Sequence, residues 1–219
     1  MATRFSLPNG AVLDIASALG APVAFTALSN ATPPVATAAG HKLKNDDVLL
    51  VNSGWSLIND RAARVSKAAT DTFALGGLDT SRTDKYGAGA GVGTVTPVTG
   101  WAPISKVTAF TSSGGEQQYL TVGYLEDDVD RQFPTNRTPS TLAITVEDQP
   151  TAAYVGVVEA YSETKTLAVV RLKLPNGDQI LYPGYVSLTS TPTLERNSLM
   201  TRTLNIALSG LPLRYVAAA

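Results

Sequence analysis

Apolar and polar residues alternate with a period of two over much of the second half of the chain. The pattern is clearest over Leu199–Leu208, where Leu199, Thr201, Thr203, Asn205 and Ala207 interleave with Met200, Arg202, Leu204, Ile206 and Leu208. Successive side chains of a strand point to opposite faces, so this alternation predicts a strand with one buried face. Gln117–Tyr124 carries the same signature: Gln118, Leu120, Val122 and Tyr124 hold most of its apolar side chains and are expected to face a core. Ser140–Glu147, Thr166–Leu174 and Gln179–Leu188 read as further strands. One segment changes period. Tyr154, Val157, Val158 and Tyr161 fall three and four residues apart, the spacing of a helical face, and are expected to pack on a sheet. Asp148 is expected to cap that helix by accepting from a free backbone N–H, with Pro150 in the first turn, where its missing N–H costs no helical bond.

Turn residues recur about every ten positions, the rhythm of an all-β protein. Leu174-Pro175-Asn176-Gly177 predicts a hairpin turn, because Asn and Gly both tolerate positive φ. The same four residues at Leu7–Gly10 are too short a match to establish an internal repeat. In the first half, Ala11–Ile15, Val35–Thr37, Asp47–Asn52, Ala63–Ala68, Thr72–Leu75 and Gly93–Val98 are strand candidates. Gly87–Gly93 alternates glycine and is expected to be a floppy loop, and Ser112–Gly115 a turn or short linker. The chain therefore divides into an N-terminal segment (1–26), a small all-β unit (27–98) and a larger unit with the helix (99–219).

The 219 residues are 44% hydrophobic and 16% charged, which suits a folded chain with a sizeable core. A net charge of −1 argues against gripping nucleic acid by its phosphates, which needs clustered Lys and Arg. With no cysteine there is no disulfide, thiolate nucleophile or cysteine-based zinc site. Met1–Gly10 lacks the basic start and apolar run of a signal peptide, and no apolar run is long enough for a membrane span, so a cytosolic protein with no membrane contact is expected.

Catalytic signals are missing as well. His41 is the single histidine and reads as a turn or surface residue. No Gly-x-Ser-x-Gly elbow occurs, and Gly87–Gly93 lacks the spacing of a phosphate loop. The acid run Glu126–Asp130 lacks the glycine and the final glutamate of a calcium loop. No catalytic, cofactor-binding or metal-binding residue is expected, and the chain does not read as an enzyme. Trp55, Trp101, Tyr119, Tyr124, Tyr154, Tyr161, Tyr182 and Tyr185 are not interleaved with a basic patch and read as core and interface.

Several segments, taken in order, resemble the major tail tube protein of long-tailed, non-contractile (siphovirus, lambda-like) bacteriophages. Tyr124-Leu125-Glu126-Asp127-Asp128-Val129-Asp130 resembles the segment that opens that family's long hairpin loop. Leu174–Gly177 resembles the turn after its helix, and Gly184-Tyr185-Val186-Ser187 the strand that follows. Thr201-Arg202-Thr203-Leu204 and Gly210-Leu211-Pro212 resemble its closing strand. The likeness covers about Gln117 to Pro212. Further upstream, His41–Leu49, Asn59–Arg64 and Asp71–Leu75 resemble a small β module found in many phage structural proteins, although Lys42 and Asp46 stand where that pattern has glycine.

The resemblance implies a mainly β fold: a tail-tube β-sandwich or barrel domain with one flanking helix, the 27–98 unit being an added all-β module. Segment 1–26 is expected to rejoin the larger domain's sheet. It further implies a structural virion protein whose six copies form a ring, with stacked rings making the tube that conducts DNA at ejection. The implied partners are other copies of the chain, a tape-measure protein in the lumen, tail-tip (distal tail) and tail-terminator proteins, and passing duplex DNA that is not specifically bound. The loop Glu126–Pro139, with Glu126, Asp127, Asp128, Asp130, Arg131 and Arg137, is the expected reach onto a neighbouring subunit. The implied location is the virion tail, with the host cytoplasm before assembly. Two other readings stay open at this point: a non-assembling β-sandwich binding module of a tail tip, and the tube subunit of a contractile injection or secretion machine.

Overall fold

The computed structural model of the chain describes residues 9–217. The first part of the Leu7–Gly10 turn lies outside them, as do the first eight residues of the 1–26 segment. Seven strands form the first half: β1 (Val12–Leu19), β2 (Val23–Phe25), β3 (Ala27–Leu28), β4 (Val35–Thr37), β5 (Val48–Ser53), β6 (Arg61–Ser66) and β7 (Thr72–Gly76). The long β8 (Gly93–Ile104) follows, then β9 (Val107–Ser113), β10 (Gln117–Val122), β11 (Arg131–Arg137) and β12 (Thr141–Glu147). Helix α1 (Ala153–Thr164) precedes β13 (Ala168–Lys173), β14 (Gln179–Leu188), β15 (Thr201–Leu208) and β16 (Leu213–Tyr215). The fold is mainly β with large antiparallel sheets.

Hydrogen bonding runs in the order β3-β4-β7-β6-β5-β8-β1-β13-β14-β15-β12-β9, with β2 added on β8 and β16 on β14. Strand β8 belongs to both halves. Its start pairs with β2 and β5 (Val95 opposite Val23 and Val51), and its end pairs with β1 (Ala102 opposite Ile15). Position 98/99 lies inside this strand. On its other edge β1 pairs with β13, placing Ile15 opposite Val170.

Three apolar clusters hold these layers. Phe73, Leu75, Leu49, Val51 and Ile58 fill the first-half unit. Ile15, Ile144, Leu204, Ile206 and Val170 fill the second, under α1. Ala16, Val48, Ala62, Val169, Leu181 and Tyr215 join the two. Tyr215 closes that junction: its hydroxyl donates to the Gly76 carbonyl (2.7 Å) and accepts from the Arg64 N–H (2.9 Å). Its ring lies under the Arg64 guanidinium, 4.6 Å from the centroid.

Helix α1 packs on β14, β8 and β1. Tyr154 and Val158 are buried, and Val157 and Tyr161 are half-buried against the same cluster. Val155 is buried too, which the three- and four-residue spacing passed over. The expected cap is corrected. The helix starts after Ala152, which makes no side-chain cap bond. The Asp148 N–H instead donates to Met200 O (2.9 Å), extending the β12–β15 ladder, and its carboxylate lies 3.8 Å from Arg202. Sheet pairing takes Asp148 before the helix can, and Pro150 falls in the turn ahead of the helix.

His41 is also not on the surface. It is 7% exposed, its Nδ1 accepts from the Leu43 N–H (3.0 Å), and its ring stands edge-on to Phe73. Gly87–Gly93 is docked as well as glycine-rich. Trp55 Nε1 donates to Gly87 O (2.9 Å), and a Cβ on Gly91 would meet the Trp55 ring at 2.7 Å. The sequence shows the glycines but not the indole that they accommodate.

Candidate assembly surface

One part of the chain stands apart from this packing. β10 and β11 pair only with each other, as a two-stranded sheet. Leu120 lies opposite Phe133, Tyr119 opposite Pro134 and Thr121 opposite Gln132. The expectation of a buried face on Gln117–Tyr124 is therefore overturned. Tyr119, Leu120, Tyr124 and Phe133 are 58%, 56%, 47% and 45% exposed. The alternation is present, but no layer among the described residues covers it.

Local chemistry explains how the hairpin leaves the main sheet. β9 ends at Gly114 and Gly115, with φ of +78° and +81°, in the left-handed region that only glycine enters freely. A Cβ on Gly114 would lie 2.0 Å from the Pro139 carbonyl, so the two legs of the hairpin approach closely there. The legs are clasped by Thr138 N–H to Glu116 O (3.0 Å) and by Glu116 N–H to Thr138 Oγ1 (3.0 Å). Gln117 Nε2 adds a bond to Thr135 O (3.0 Å).

The expected loop Glu126–Pro139 is shorter than the sequence suggested. Arg131–Arg137 is strand β11, and the turn is confined to the residues before it. Pro134 masked the strand, because proline donates no ladder bond; it is tolerated in a ribbon whose outer edge is free. Glu126, Asp128 and Asp130 are exposed in the turn. Asp127 is half-buried and pairs with Arg131 (2.7 Å), whose guanidinium lies 5.7 Å from the Tyr124 ring centroid. Arg137, at the far end of β11, faces Gln117. The structure thus brings Asp127 and Arg131 together and leaves Arg137 at the base of the hairpin, away from the acids. Leu125 and Val129 at the tip are fully and largely exposed. They and Phe133 were not singled out by sequence, since nothing in a turn's composition says that it presents apolar groups.

Two further acids, Asp14 and Asp178, are buried and paired within the fold. Asp14 is buried between Arg171 (2.8 Å) and Lys173 (3.0 Å), with Arg171 stacked 3.8 Å over the Trp101 ring. The Ala217 N–H (3.0 Å) and the Arg214 guanidinium (Nε, 2.9 Å) hold the Asp178 carboxyl below its ordinary pKa. Among the described residues, no group of three or more His, Asp or Glu is placed to hold a metal ion.

A chain described as "Virion of native gene transfer agent (GTA) particle" is similar over 53% of this chain and 89% of its own, at 12% identity and a TM-score of 0.42. No curated protein matches. The family profile described as phage tail tube protein (TTP) matches residues 53–217. That span takes in the junction strand β8, the isolated hairpin and the helix-backed sheet apart from β1, and on it the chain belongs to the phage tail tube protein family.

Proposed function

We propose that six copies of this structural virion protein close into a ring, and that the rings stack into the conduit through which the genome is ejected. The observation that carries this reading is the β10–β11 hairpin. An isolated two-stranded hairpin is marginally stable in water. This one also exposes Tyr119, Leu120 and Phe133, which gain only if a second surface covers them. Covering one large apolar side chain is worth about 1.5–3 kcal/mol, so Leu120 and Phe133, paired on one face of the ribbon, can drive association, with Tyr119 on the other face. The acid-rich tip, with Arg131 and Arg137 behind it, adds charge complementarity that sets register more than affinity. Head-to-tail contacts of this kind close when the rotation per subunit fits the ring.

In this reading residues 27–98 are an accessory module joined to the 99–219 tube unit through β8, and 1–26 completes the tube unit's sheet through β1. A tape-measure protein occupies the lumen before ejection, and tail-tip and terminator proteins bound the tube. The test is assembly of Leu120→Asp with Phe133→Asp. The double variant is expected to keep the wild-type thermal midpoint and to sediment as a monomer where wild type forms rings. Rings formed by the double variant at wild-type concentrations would remove the hairpin from the assembly contact.

A further inference from the structure

The apolar core under the helix-backed sheet is open at one end. A groove of about 510 Å³ lies there, between the start of β1, the start of β9 and the end of β13. Leu13 and Leu172 sit opposite each other across β1 and β13 and are buried in it. Ala11, Leu174, Val107 and Phe110 also line it and pack on the core, but stay half-buried. Asn9 and Thr108 are its polar side chains, and no charged residue lines it. Apolar side chains left partly wet at the mouth of a core gain from cover.

We propose that residues 4–8 of the same copy plug this groove, with Phe5 and Leu7 as the inserted side chains. Three observations carry it. First, position fits. Asn9 and Gly10 line the groove, so the chain enters the described fold at the groove itself. A chain advances at most ~3.6 Å per residue, which keeps Phe5 within roughly 14 Å of Asn9. Second, direction fits. Asn9-Gly10 is a turn, with Gly10 at φ +91°. A Cβ on Gly10 would lie 3.8 Å from Pro175, so the turn rests against the one that joins β13 to β14. Residues sent back by a turn ordinarily pair along the strand that follows it. Both edges of β1 are taken, by β13 over Val12–Ile15 and by β8 over Leu13–Leu19. The reversed residues find no ladder there, and the open mouth is the apolar surface beside them. Third, pattern fits. Phe5 and Leu7 alternate with Arg4, Ser6 and Pro8. In an extended segment that spacing puts both large apolar groups on one face and Arg4 and Ser6 on the other. One face suits a groove without charge, and the other suits water.

The plug closes the core of each copy before copies meet. An open groove of this composition would also take apolar groups from elsewhere, and the exposed Leu120 and Phe133 of another copy's hairpin are the obvious ones. A segment tethered at the rim has the advantage over a free competitor, because its effective concentration is set by a short linker. The hairpin is thereby kept for its own contact.

The chain has no cysteine, so Ser6→Cys gives a single thiol on the outward face of the plug. The full chain carrying a nitroxide there is studied by NMR at a dilution where it sediments as a monomer. The amide signals of Val107, Thr108, Phe110 and Leu172 are expected to lose intensity, while those of Phe73 and Leu75 in the first-half unit keep theirs. Loss seen only when labelled chains are mixed with isotope-labelled chains lacking the nitroxide would give the groove to a second copy's segment and overturn the proposal. Groove signals that are unaffected in both samples would overturn it too. Independently, Phe5→Asp with Leu7→Asp should speed amide exchange over Val107–Phe110 and Leu172–Leu174 about tenfold, with Phe5→Leu keeping the wild-type rates. Unchanged exchange in the double variant counts against the plug. Protection that survives it but is lost in Leu120→Asp with Phe133→Asp would assign the groove to the hairpin of another copy.

Discussion

Tyr215 shows how much of the fold rests on single side chains far apart in sequence. Its hydroxyl satisfies Gly76 O and Arg64 N–H at once, at a site where its ring is buried. Tyr215→Phe leaves both groups without that partner and should cost about 1–3 kcal/mol in chemical denaturation. Asp178 makes a pH prediction of definite sign. Its folded pKa is lowered, chiefly by the Ala217 N–H and then by Arg214. Its contribution is therefore fully present above the unfolded pKa of about 3.9 and is lost as pH falls through that value towards the lower folded one. The thermal-midpoint gap between wild type and Asp178→Asn should be constant near neutral pH and close below about pH 4; a gap that widened on acidification would reverse the assignment. At this scale the sequence was readable where a residue's own backbone decides. Gly177 has φ +87° in the turn that Leu174–Gly177 predicts. His41 and Asp148 were not readable, because partners distant in the chain fix them.

Most of the longer strands and the helix were legible where the covering layer belongs to the same chain. β14 begins and ends at the predicted residues, β12 and β15 end where predicted and start one and two residues later, and β13 is shorter by two residues at its start and one at its end. Ile144 and Leu204 face each other across β12 and β15, both fully buried. Leu204→Ala should cost about 2–5 kcal/mol by opening a cavity under α1, read as a lowered denaturation midpoint. β10 had the same alternation and the opposite outcome, since periodicity reports that a face wants cover and not whose chain supplies it. β9 and β11 were hidden for different reasons. Ser112-Ser113 carries turn composition although it closes a strand, and Pro134 interrupts a ribbon that pairs on one side only.

For the whole molecule, assembly turns on the hairpin surface that the described residues leave uncovered. The first-half unit and the helix-backed sheet are fused through β8 and the cluster around Tyr215, so the subunit presents its hairpin and sheet edges from one scaffold. The tail tube family membership was legible from the order of the acid run, the turn and the closing strands. The assembly geometry was not, since no single chain contains a neighbour. The most direct test is electron microscopy of the concentrated wild-type protein, alone and with a tail-tip initiator. Stacked rings of uniform diameter with an open axial channel are the predicted result. A monodisperse particle with no rings under either condition would contradict the account.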